Sequence, residues 1–142
     1  MEIAEVRKRL LLAIDQSRRA ATARQARADA AATAYDRFLG TIATPVFQML
    51  AAALRAESHS FTVFTPAGGL RLASTRSAED YIELALDTST DEPFVLARVS
   101  RARGHRVLSY ERPVRDRTPP EDLTEEDVLQ LLLQEIGPFV AR

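Results

Sequence analysis

The chain has 142 residues, 46% of them hydrophobic, with nineteen Lys and Arg against twenty Asp and Glu for a net charge of −1, and no Cys. That length fits one domain with a core large enough to fold unaided, and the near-neutral balance excludes a generic polyanion binder. The lack of Cys excludes disulfides, thiolate metal sites and thiol nucleophiles, which suits a reducing, cytoplasmic setting.

The charge is unevenly spread. Residues 1–57 hold nine basic and six acidic groups, residues 58–112 seven of each, and residues 113–142 three basic and seven acidic. Eighteen of the nineteen basic residues are Arg. Because this preference partly follows codon usage in a GC-rich genome, it is discounted as a sign of phosphate binding.

From Glu2 to Leu39 there is neither Pro nor Gly, and Ala, Arg, Gln and Leu dominate. These residue types favour a helix, here predicted over 2–39 and on the order of 55 Å long. A compact chain of this size has a radius of gyration of only roughly 14–15 Å, so the helix must project, fold back or pair with another chain. Its apolar and small residues recur at Ile3, Val6, Leu10, Ala13, Ser17, Ala20, Ala28, Ala31, Tyr35 and Phe38, with Arg24 interrupting. Three-four spacing of this kind is a helix-pairing seam, and these ten residues are the predicted dimer interface. The first segment, MEIAEVRKRLLLAIDQ, mixes acids into its basic part and breaks its apolar run at Asp15, unlike a signal peptide. No uninterrupted apolar run in the chain approaches the ~18 residues of a membrane span.

Gly40 is predicted to end the first helix, and Thr44-Pro45 to cap and begin a second over 45–57, with Val46, Phe47, Met49, Leu50, Ala53 and Leu54 as its apolar face. From Ser60 the period changes to two, marking strands. SFTVFTP and LRLAS flank a Pro66–Gly69 turn. YIELALDT turns Ile82, Leu84 and Leu86 one way and Tyr81, Glu83, Ala85 and Asp87 the other, and FVLARVSRA and HRVLSYERP form a hairpin about Arg103-Gly104. The alternation predicts that Leu84 is core, and that Glu83, on the opposite face, is replaceable by Ala almost silently. A last helix opens at Thr124 as N-cap, with Glu125, Glu126 and Asp127 in its first turn and Leu123 stapling to Val128, and is closed by Gly137-Pro138.

The predicted architecture is α+β: a long N-terminal helix, a short second helix, an antiparallel five-stranded β-meander covered on one face by helices, and a C-terminal helix. It forms a single folding unit of two regions, helical over 1–57 and sheet plus helix over 58–142.

Chemistry-bearing residues are sparse. His59 and His105 fall in predicted turns without evident partners, and Asp87, Asp91 and Glu92 lack the Gly and closing Glu of a cation loop, so no metal or cofactor is predicted. No Ser stands in a nucleophile elbow, and Gly68-Gly69 precedes a strand, so no enzyme is predicted. The candidate binding residues are Arg98, Arg101, Arg103, His105 and Arg106, taken as one basic hairpin tip able to meet phosphates or carboxylates. The composite expectation is a non-enzymatic homodimeric adaptor or assembly module. Its partners are itself and a further protein, with no membrane, and the alternative is a nucleic-acid-associated protein acting through the hairpin.

Overall fold

A computed structural model describes residues 1–141 and has the α+β architecture that the hydrophobic periodicity implies. Helix α1 (Ile3–Phe38) runs into a π-helical turn (Leu39–Ala43) and then α2 (Thr44–Ala56), followed by strands β1 (Phe61–Phe64), β2 (Leu70–Ser74), β3 (Tyr81–Asp87), β4 (Phe94–Arg103) and β5 (Arg106–Pro113), and helix α3 (Glu125–Val140). The strands form one antiparallel sheet in sequence order.

The first correction concerns Gly40. The backbone does not turn left-handed there, and α1, the π turn and α2 form one helical run of 54 residues, about 80 Å long. Thr44 is inside the run and donates its N–H to the Leu39 carbonyl, five residues back. Pro45 lacks an N–H and its ring crowds the carbonyl four residues earlier; a wide turn just before it relieves that clash without ending the helix. Packing holds the run together on both sides of the turn, since Phe38, Ala43, Val46 and Phe47 are all buried. The buried face of α2 is Val46, Phe47, Ala51 and Leu54; Met49 and Ala53, expected in it, are exposed. The run also contains an 18-residue window with a mean hydropathy of 1.3, enough by length and composition to cross a membrane, which a count of uninterrupted apolar residues misses. Its Val46, Phe47 and Leu54 are part of the domain's core.

Helix α2 ends at Glu57 in a Schellman arrangement: the His59 N–H donates to the Leu54 carbonyl and the Ser58 N–H to the Arg55 carbonyl. Ser58 takes the left-handed position usually given to Gly, with φ 68°. The chain then enters β1.

Register fixes the two faces of the sheet. Leu70 pairs with Leu84 and Leu84 with Ala97, while Leu72 pairs with Ile82 and Ile82 with Val99. These six residues are buried under α2 and α3 in one core with Val128, Leu131 and Leu132. The alternation read in β3 therefore holds for Ile82, Leu84 and Leu86.

Helix α3 begins as the sequence indicates. The Thr124 hydroxyl accepts from the Asp127 N–H at 3.2 Å, and the Asp127 carboxylate accepts from the Thr124 N–H at 3.0 Å, a reciprocal capping box. We expect Thr124→Ala to cost about 1 kcal/mol and lower Tm by roughly 3 °C in a thermal melt. An unchanged melt refutes the cap. The C-terminus is a second correction: Gly137-Pro138 does not close α3, which continues to Val140 and buries Phe139 edge-on against Phe61, ring centres 6.4 Å apart. Pro138 removes one donor in the final turn, and burial of Phe139 offsets that local cost.

Candidate functional site

Three surfaces carry the residues that interaction chemistry needs. The first is the free half of α1. Over Ile3–Arg27 only Ile14 is even half-buried, whereas Ala31, Tyr35 and Phe38 are buried in the chain's own body. Tyr35 is tied there by its hydroxyl, which lies 2.8 Å from the Gly68 carbonyl and 3.3 Å from that of Leu84. Burial, with the charges of Asp36 and Glu83, holds this phenol protonated well above its ordinary range. The predicted interchain seam is therefore corrected at one end: Ala31, Tyr35 and Phe38 are core residues of their own chain, and Ala28 is half-buried where the helix meets the body. Ile3, Val6, Leu10, Ala13, Ser17 and Ala20 remain exposed, with Ile3 at 86% and Leu10 at 56%. About 24 residues of helix, some 36 Å, thus stand clear of the domain, and at Arg27 contact with the body begins, its Nε donating to the Asp91 carbonyl at 3.0 Å.

The second surface is the β4–β5 hairpin. Arg103 pairs with Arg106 across a two-residue loop, Gly104-His105, and Gly104 has φ 62° while His105 does not leave negative φ. That is the type II′ geometry, which matches strand twist and needs Gly at its first position. Counting back from the loop puts Arg101, Arg103 and Arg106 on one face together with Leu108 and Tyr110. Among the described residues none of the three Arg lies in an ion pair. His105 is exposed at the tip. Arg98 does not join them and is a further correction: it lies on the opposite face, with Nη1 3.4 Å from Glu83 and Nη2 3.6 Å from Glu111.

At the root of the same hairpin, Tyr110 donates its hydroxyl to Glu135 of α3, and Arg112 bonds Glu135 and Gln134 at 3.0 and 2.9 Å. Desolvation, then the bond to Glu135, raises the Tyr110 pKa to about 12. This link clamps β5, an edge strand exposed from Arg106 to Glu111, onto the helix layer. Nothing in the local sequence announces it.

The third surface is the sheet face away from the helices, which sequence reasoning missed. Register lines up Phe64, Arg71, Glu83, Arg98 and Glu111 in one row across all five strands. Arg71 holds Glu83 Oε1 through Nε at 3.1 Å and Nη2 at 3.0 Å, with its guanidinium 3.9 Å from the Tyr81 ring centre and 5.5 Å from that of Phe64. Glu83 is only 6% exposed, which removes the ground for expecting its replacement to be nearly silent. The available signal was a polar residue at alternate positions of both β2 and β3, but its meaning depends on register.

Concave sites are modest. A cleft of about 590 Å³ lies where α1 leaves the body, between Ala30, Ala34, Pro93, Phe94 and Pro119. Another, of about 570 Å³, gathers His59, Asp80, Ser60, Ser74 and Ser77. Three of its polar groups serve local structure: Asp80 accepts from the Ala102 N–H of β4 at 2.7 Å, Ser74 from the Arg76 N–H and Ser77 from the Glu79 N–H. Asp87 accepts from the Ser89 N–H and hydroxyl, and among the described residues no group of three His, Asp or Glu converges for a metal.

Comparison with protein-family models, curated proteins and solved structures finds no match to the chain.

Proposed function

We propose that this protein is a non-enzymatic assembly module that pairs with a second copy of itself through the free half of α1 and holds out its sheet domain to a further protein. One observation carries the reading. A single helix buries Ala31, Tyr35 and Phe38 of its apolar seam in its own domain while leaving Ile3, Val6 and Leu10 of the same seam in water. Most helical stability in proteins comes from packing an apolar face, and the apolar face of the free half packs on nothing, so it calls for a partner. Light scattering or sedimentation at tens of micromolar, a working concentration suited to a weak helical interface, should give twice the chain mass. Leu10→Asp should return it to the monomer without lowering the Tm of the body. A monomeric parent chain overturns the reading.

A second reading rests on a separate observation, the three unpaired Arg on one hairpin face. Several guanidinium groups presented together suit phosphate or carboxylate, and a nucleic-acid backbone offers such anions in a regular array. Replacing Arg101, Arg103 and Arg106 together with Ser should leave fold and mass unchanged, since exposed charges add little to stability. It should abolish duplex DNA binding whose log K in the parent falls steeply with log salt. No salt-dependent binding by the parent protein refutes this reading. In that case the Arg residues act as guards that keep the open β5 edge from pairing with strangers, and the variant should aggregate more readily.

A further inference from the structure

We infer that two copies pair antiparallel along α1 in one register, with Ile3 of each copy opposite Ala28 of the other; this rests on the self-pairing proposed above. Positions Ile3, Leu10, Ser17, Arg24, Ala31 and Phe38 recur every seven residues, the spacing that keeps one line of a helix facing a partner in a left-handed pair. At Ala31 and Phe38 that line is already covered by the chain's own body. A second helix can therefore follow it only from Ile3 to about Ala28.

Parallel pairing meets an obstacle at that point. Both bodies would occupy the inner side of the pair at the same end and force the helices apart. It would also place the Arg18, Arg19, Arg24 and Arg27 stretch beside its own copy, and set small residues against small. Antiparallel pairing puts the two bodies at opposite ends, and the free seam lengths then match.

The side chains agree on the same register. With Ile3 opposite Ala28, Leu10 lies level with Ala21 of the second copy and beside its Ala20, so the large residues Ile3 and Leu10 face small ones nearer the body. Arg24, the one charge in the seam, falls within one residue of Val6 of the second copy. Its stem covers the apolar side chain while its guanidinium reaches toward Glu2 and Glu5 of that copy. The assembly is then a rod of two helices with a sheet domain at each end.

The test uses the full chain, whose freedom from Cys gives a clean background. A disulfide needs Cα atoms within about 7 Å, and positions 3 and 28 of one helix are some 37 Å apart, so a bridge between them joins two chains. Under mild oxidation Ile3→Cys/Ala28→Cys should give at least ten times more covalent dimer than Ile3→Cys or Ala28→Cys alone. Efficient bridging by Ile3→Cys alone establishes parallel pairing and overturns the register. Absence of bridging in a chain that light scattering shows to be dimeric overturns the register and leaves the self-pairing standing. A monomeric parent chain overturns both.

Discussion

Leu84→Asp should leave no folded domain at 25 °C. Leu84 is fully buried in the central strand, flanked across the sheet by Leu70 and Ala97, which are themselves buried. An Asp there removes an apolar side chain from the middle of the core and places a carboxylate where no donor waits. The two effects together cost several kcal/mol, comparable with the whole of the roughly 5–15 kcal/mol by which a domain of this kind is stable. Circular dichroism should show loss of the cooperative transition, with the projecting half of α1 losing helicity as its anchored end goes. A variant that melts as the parent does would mean that β3 is turned over in its register.

Glu83→Ala should cost about 2–3 kcal/mol, read as a fall in the urea midpoint at unchanged m. Alternation alone makes this neighbour silent, yet its carboxylate is held by Arg71 and Arg98, whose side chains are 24% and 40% exposed. Removing Glu83 leaves Arg71 pinned between Tyr81 and Phe64 with no anion beside it, while Arg98 keeps Glu111. Because water reaches both guanidinium groups, the loss is set below that of a fully enclosed pair. Glu83→Gln, which keeps an acceptor for Arg71, should lose less. A double-mutant cycle with Arg71→Ala should show coupling between the two sites, and strict additivity would refute the pairing.

These two neighbours separate what a strand's sequence can reveal from what it cannot. The period-two pattern identifies Ile82, Leu84 and Leu86 as core, because burying apolar surface is a property of each residue and its face. The burial of Glu83 is a property of a row. It arises only when Arg71, Glu83, Arg98 and Glu111 are aligned by the register of four strands, and that alignment is not contained in any one of them.

The same division runs through the chain. The N-cap at Thr124 was legible because a capping box is closed within four residues. The breaks expected at Gly40 and at Gly137-Pro138 are local readings that packing overrides, since Phe38 and Phe47 on one side and Phe139 on the other gain more by continuing the helix than the backbone loses. The hairpin Arg residues were legible as a group, but the two-residue Gly104-His105 loop decided which of them share a face, and it sent Arg98 to the other side. Periodicity and short-range bonds suffice for the long helix, the five strands, the core face of β3 and the start of α3. Where the seam of α1 stops belonging to its own domain, at Ala31, is set by long-range packing, because a helix stripe shows that a face is buried and never shows which surface buries it.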